Sequence, residues 1–200
     1  MKEIDFWFSI GSTYTYLSVT RLTEVSQKTG ASFSWKPFSV RKIMREMDNI
    51  PFPPNKQTKV EYMWRDIERR ARGYGFVANV PAPYPLQEFD LANRVAVLAM
   101  QEGWCEDYVR ETYRLWFIDG HEAGSDVNLT QTLSEVGQDK LRVLELADSS
   151  DLEAAYLNQT ESAKQAGIFG SPSFIVDGEL FWGDDRLEDA INWASKGSYG

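Results

Sequence analysis

Ile4-Asp5-Phe6-Trp7-Phe8-Ser9-Ile10-Gly11-Ser12-Thr13-Tyr14 is the stretch that decides the fold. Ile4, Phe6 and Phe8 recur at period two among further aromatics, the pattern of a buried strand. Gly11 breaks that strand. Ser12 then stands at the N-cap position of a helix that carries Leu17, Val19, Leu22 and Val25 and ends at Gly30. Ala31 to Pro37 follows as a second strand, with Phe33 and Trp35 alternating. Two strands joined through a helix predict parallel pairing and a right-handed crossover.

Working outward, the pattern turns helical from about residue 39. Val60, Met63, Trp64, Ile67 and Ala71 form one apolar stripe at spacings of three and four. Further helices are predicted over Leu91 to Met100, Tyr108 to Phe117, Leu129 to Val136 and Lys140 to Ala147. Two proline clusters punctuate this region: Pro51, Pro53 and Pro54, then Pro81, Pro83 and Pro85. The capping box Ser150-x-x-Glu153 opens another helix, closed by Gly167. Ser173 to Val176 and Glu179 to Trp182 flank Asp177-Gly178, a type I′ hairpin signal. Asp185-x-x-Glu188 reads as a capping box for a last helix bearing Leu187, Ile191 and Trp193. This order gives an α/β protein with a thioredoxin-like fold and a helical insertion domain. The thioredoxin-like part spans 1–38 and 150–200, and the insertion 39–149.

Composition removes several function classes. At 200 residues, with 42% apolar and 26% charged side chains, the chain is long and apolar enough to build a core of its own. Thirty acids against twenty-one bases leave a net charge of −9, a field that repels phosphate backbones, so no nucleic-acid partner is expected. Cys105 and His121 are the only residues of their kinds, which excludes an internal disulfide, a Cys-x-x-Cys redox pair and multi-His metal sites. No metal is expected. Acidic residues at Glu3 and Asp5 interrupt any signal-peptide core, and no run approaches the ~20 apolar residues of a membrane span. The expected location is the cytoplasm, with no membrane partner.

Three places can carry chemistry. At the turn from the first strand into the first helix, Ser12 is either an ordinary N-cap or a hydroxyl donor to a thiolate supplied by a ligand. In Gly170-Ser171-Pro172-Ser173, a proline leading into a hairpin strand implies either a tight turn, or a sheet edge or cis bond. A cis bond would turn the Ser171 backbone toward Ser12, where it can pair with an extended peptide. In Trp182-Gly183-Asp184-Asp185-Arg186-Leu187, two acids at a helix start either cap it or hold a zwitterionic amino-acid end.

Strand-Ser12, Gly-x-Phe-Gly-x-Pro-x-Phe and Trp-Gly-x-Asp-Arg-Leu together resemble the 2-hydroxychromene-2-carboxylate isomerase family. That family is similar to kappa-class glutathione transferases within the DsbA-like thioredoxin superfamily. The resemblance covers almost the whole chain and implies glutathione as cofactor, a small aromatic substrate and a homodimer. It further implies that Ser12 contacts the glutathione sulfur and that the Ser171 backbone, before cis-Pro172, pairs with the cysteinyl unit. Asp184 and Asp185 match the pair that receives the γ-glutamyl end, and Lys59 and Asn49 lie near the glycyl carboxylate. The expected activity is isomerisation of an aromatic hydroxy acid by reversible thiolate addition, with Ser12 as the catalytic residue. Conjugation or peroxide reduction by a kappa-class-like enzyme is the alternative. A non-catalytic thioredoxin-fold binding protein is the second.

Two departures from the family pattern stand out. Thr13 replaces a proline, permitting a looser turn, and Asp184 is often Asn in the isomerases, so it adds a negative charge beside the γ-glutamyl carboxylate. Other features read as ordinary. The basic residues Lys56, Lys59, Arg65, Arg69, Arg70 and Arg72 interleave with Glu61, Asp66 and Glu68 and predict a solvated helix face. His121 reads as an exposed loop residue, Cys105 as a packing residue between helices, and Tyr14 and Tyr16 as packing aromatics.

Overall fold

The computed structural model describes residues 1–49 and 56–197. Strand β1 (Ile4–Phe8) pairs in parallel with β2 (Phe33–Pro37), Ile4 opposite Phe33 and Phe8 opposite Pro37. Helix α1 (Thr15–Thr29) makes the crossover and stops at Gly30, whose φ of 75° only glycine adopts freely. Strand β3 (Ser173–Val176) lies antiparallel on the other side of β1, and β4 (Glu179–Trp182) completes a sheet ordered β2-β1-β3-β4. Asp177 and Gly178 both have positive φ, as the type I′ turn requires. The Ser171–Pro172 bond is cis, and β3 is an inner strand, so Pro172 sits just ahead of the ladder.

The alternation read in β1 is a real buried face. Phe6 stacks between Phe8 and Phe174, with centroids 5.3 Å from each. Among the described residues β2 is followed by the helices α2 (Val40–Glu46), α3 (Gln57–Gly73), α4 (Phe89–Glu102), α5 (Cys105–Phe117), α6 (Asp126–Glu135) and α7 (Lys140–Ala147). Then α8 (Ser150–Gln165) returns the chain to the sheet, and after β4 a 3₁₀ turn (Asp184–Arg186) leads into α9 (Leu187–Lys196). Helix α4 runs through the middle, touching β2, α5, α7 and α8. Its small buried residues Ala92, Ala96 and Ala99 let neighbours on several sides approach closely.

Several local expectations need correction. Helix α8 is capped by Ser149, whose hydroxyl accepts the Leu152 N–H at 3.3 Å, while Ser150 is already helical. Adjacent serines left that register ambiguous. No capping box forms at Asp185: Gly183 turns the chain at φ 114°, Asp184–Arg186 tighten into the 3₁₀ turn, and the Glu188 carboxylate pairs with Arg21 instead. Cys105 is the first residue of α5 and is buried. His121 is half-buried, its backbone tied at 3.0 Å to Leu115 O and at 3.0 Å to Asn128 Nδ2. Pro51, Pro53 and Pro54 lie outside the described residues. Among the described residues no helix is long and apolar enough to cross a membrane.

Candidate active site

The site gathers where β1 ends. Ser12 is not a helix cap: α1 begins at Thr15, and no side chain caps it. Gly11 bends the chain at φ 116°, Ser12 N–H returns to Ser9 O at 3.0 Å, and Tyr16 and Leu17 amides bond Thr13 and Tyr14 before the regular helix starts. The entry is thus delayed and the Ser12 hydroxyl is released for another partner. It donates to the Ser171 carbonyl at 2.6 Å. The Ser171 hydroxyl in turn accepts the Ser9 N–H at 2.9 Å and shares a 2.8 Å hydrogen bond with Thr15 Oγ1. The turn and the cis-proline loop are therefore stitched together through two serines.

Two buried polar side chains hold this turn from behind. Asn93 of α4 bonds both backbone groups of Ile10 at 2.8 Å and also donates to Phe89 O. Tyr113 of α5 places its hydroxyl 3.0 Å from Ser12 O and 3.2 Å from Ser9 O. Burial pushes the Tyr113 phenol far above its ordinary range, so it remains a donor throughout neutral pH. Gly11 admits no side chain here, since a Cβ would lie 2.5 Å from the Phe89 ring. The polar signal of Asn93 inside an Ala/Val/Leu helix was present in the sequence; nothing there singled out Tyr113.

The C-terminal motif joins the same ridge. Gly183 N–H donates to Pro172 O at 3.0 Å, which places Asp184 and Asp185 beside the cis-proline loop. Asp185 is exposed, with Arg186 at 2.9 Å from its Oδ2. Asp184 is only 3% exposed and accepts from Arg70 Nε at 3.1 Å, Arg70 Nη2 at 2.8 Å and Tyr74 OH at 3.4 Å. Burial raises the Asp184 carboxyl above the ordinary carboxylate range, and Arg70 pulls it part of the way back. The solvated-face reading of α3 holds for Arg65, Arg69 and Arg72, which pair with Glu68 and Asp66 on their own helix. It fails for Arg70, which reaches the Asp184 carboxylate.

Asp66 turns inward as well, accepting Tyr14 OH at 3.0 Å, and Met63 Sδ accepts Thr13 Oγ1–H at 3.0 Å. Tyr16 packs as expected, stacked on Phe117 at 4.1 Å. Lys59 is exposed in the first turn of α3, and Asn49 is exposed beyond α2. The structure thus brings Ser12, Ser171, Pro172, Asp184 and Asp185 together, whereas Lys59 and Asn49 make no hydrogen bond from their side chains to that group among the described residues. Cys105 takes no part. Its thiol is buried, points to Ala96 O at 3.6 Å and is pushed well above its usual range by desolvation. Among the described residues no group of three or more His, Cys, Asp or Glu is placed to hold a metal.

The ridge suits an extended peptide. Among the described residues the Ser171 N–H meets no acceptor, and Ser171 O accepts only from the Ser12 hydroxyl. Close approach demands glycine at Gly170, where a Cβ would lie 2.2 Å from Trp182 Nε1, and backbone conformation favours it at Gly183, whose φ is 114°. Trp182 and Phe169 meet edge to face at 4.8 Å and remain partly open to solvent, an aromatic shelf next to the loop.

Comparison with known proteins agrees with this architecture. The chain is 29% identical over 190 residues to a 2-hydroxychromene-2-carboxylate isomerase of Sphingobium xenophagum, covering 94% of this chain and 95% of that protein. It is 24% identical over 186 residues to the 2-hydroxychromene-2-carboxylate isomerase of Pseudomonas putida, covering 92% and 90%. A solved structure of a 2-hydroxychromene-2-carboxylate isomerase superposes with a TM-score of 0.84 at 23% identity, covering 97% of this chain and 96% of the other, a likeness of fold. The model of the DsbA-like thioredoxin domain matches residues 3–191. With the sheet order, the cis-proline loop and this match in agreement, the chain belongs to the DsbA-like thioredoxin family.

Proposed function

We propose that this protein is a glutathione-dependent isomerase of an aromatic hydroxy acid such as 2-hydroxychromene-2-carboxylate. The observation that carries the reading is the Ser12–Ser171 pair at the end of β1, in a chain whose lone cysteine is buried elsewhere. A family fold built for thiol chemistry here offers a hydroxyl in place of a thiol, and on this reading the sulfur arrives with a ligand. Glutathione, when bound, supplies a thiolate that adds reversibly to a conjugated carbon and leaves again once the geometry has changed.

The chain's own residues would prepare and protect that sulfur. A hydroxyl has one proton to donate, and that of Ser12 is engaged by Ser171 O. A peptide pairing with the Ser171 backbone presents its own N–H to that carbonyl and frees the Ser12 proton for the sulfur. A hydroxyl donor to a thiolate contributes roughly 1.5–3 kcal/mol, and the α1 N-terminus adds ~0.3–1 kcal/mol. Together these lower a thiol of ordinary pKa ~8.5 to near neutrality. Asp185, exposed and acidic, would take the ligand's ammonium, and Lys59 and Asn49 its glycyl carboxylate.

The test is conversion of 2-hydroxychromene-2-carboxylate followed by absorbance, with and without glutathione, while total free thiol is measured. Conversion that requires glutathione and leaves the thiol total constant supports the isomerase. Consumption of thiol replaces it with a transferase. Absence of both conversion and glutathione-induced thermal stabilisation overturns the reading in favour of a binding protein.

A further inference from the structure

Lys59, Met63, Asp66 and Arg70 stand at i, i+4, i+7 and i+11 of α3, one face of a helix. Three of them touch the ridge in order: Met63 at Thr13, Asp66 at Tyr14 and Arg70 at Asp184. Helix α3 therefore lies along the ridge from Thr13 to Asp184, and its two ends on this face are cationic. Lys59 and Arg70 are eleven residues apart, ~16 Å of helix. An extended tripeptide covers ~10–12 Å, and two long basic side chains make up the difference.

Arg70 is not used up by its partner. Its Nε and Nη2 serve Asp184, Nη2 also donates to Tyr74 OH, and Nη1 meets no acceptor among the described residues. The side chain keeps 25% exposure while that of Asp184 has 4%. The guanidinium is thus a buried carboxylate's counter-charge on one edge and an open two-proton donor on the other. The extra negative charge that Asp184 brings to this end of the ridge is answered by the same residue that can grip an anion there.

We propose that Arg70 is a specificity-determining residue of this site: it neutralises Asp184 and donates from Nη1 to the α-carboxylate of a γ-glutamyl unit. Helix α3 then selects a ligand with a carboxylate at each end, Arg70 reading one and Lys59 the other, while Asp185 reads the ammonium. This rests on the glutathione reading above.

Calorimetric titration tests it with three thiol peptides: glutathione, 4-aminobutyryl-cysteinyl-glycine, which lacks only the α-carboxylate, and glutaryl-cysteinyl-glycine, which lacks only the ammonium. The wild-type protein is expected to bind glutathione about 10- to 100-fold more tightly than the aminobutyryl peptide, the range for a charge-assisted hydrogen bond. Arg70→Gln is expected to reduce that ratio to about 3-fold or less while leaving the discrimination against the glutaryl peptide. Because Arg70→Gln strands a buried carboxylate, Arg70→Gln/Asp184→Asn, which is neutral at both positions, is measured beside it and should show the same flattened ratio. Retention of the wild-type ratio in either folded variant overturns the proposal, as does a wild-type protein that binds both peptides equally. A wild-type protein that binds none of the three overturns the glutathione reading itself.

Discussion

Asn93 closes both backbone hydrogen bonds of Ile10, its Nδ2 2.8 Å from Ile10 O and its Oδ1 2.8 Å from Ile10 N. Strand β1 stops at Phe8, so Ile10 has no ladder partner, and the side-chain amide replaces one. Through this contact α4 fixes the height and direction at which the chain enters the Ser12 turn. The fully buried setting makes each of these bonds costly to lose.

Asn93→Asp keeps the shape but turns two donors into acceptors facing Ile10 O and Phe89 O. The expected loss is about 2–4 kcal/mol at neutral pH, larger than for Asn93→Ala, read as the midpoint of urea unfolding. Equal stability of the Asp variant and wild type would show that Asn93 does not hold the turn.

Tyr113→Phe removes the donor shared by Ser9 O and Ser12 O and leaves the ring stack with Tyr16 and Phe117 in place. A cost of about 1–3 kcal/mol is expected, with turnover reduced because the Ser12 backbone is less firmly placed. The Tyr113 proton does not titrate near neutrality, so the pH–rate profile should keep its shape. A shifted profile would mean that the phenol exchanges a proton in the reaction.

Most of the frame was legible in the sequence because its signals are local. Period-two aromatics marked β1, Asp177-Gly178 marked the hairpin, and Pro172 ahead of β3 marked the loop that is cis. Helix starts were less legible, since Ser149 and Ser150 both satisfy a cap pattern and Ser12 is drawn to Ser171, 159 residues away. The partners of the site could not be read at all by spacing. Asn93, Tyr113 and Arg70 act across the fold, and only their helical registers are written in the chain. Arg70 looked like part of a solvated stripe because the acid it serves lies on the far side of the molecule's sequence, at Asp184.

Ser12→Ala should fold normally, because the hydroxyl donates only to Ser171 O and caps no helix. Circular dichroism and the thermal midpoint are expected to stay close to wild type, with most glutathione-dependent turnover gone. The residual rate should rise with pH more steeply than in wild type, as an unassisted thiol of pKa ~8.5 ionises. Wild-type turnover in Ser12→Ala would remove Ser12 from the reaction.

Arg70→Gln carries a pH signature of its own. The folded-state pKa of Asp184 lies above its ordinary value because of burial, so between the two the native protein holds more protons than the unfolded chain and stability falls as pH rises. Arg70 limits that fall; Tyr14 and Tyr74, also nearby, are raised further from neutrality and stay silent. Without Arg70 the Asp184 pKa climbs higher and the window widens upward. The variant should therefore lie closer to wild type in acid, where Asp184 is protonated and needs no counter-charge, and fall about 3 kcal/mol below it at pH 7, as an unpaired buried carboxylate does. Adding Asp184→Asn should abolish the pH dependence of the difference. Urea unfolding of the three proteins from pH 4 to pH 8 measures this, and a gap between wild type and Arg70→Gln that is the same at every pH would mean that Arg70 does not govern the charge of Asp184.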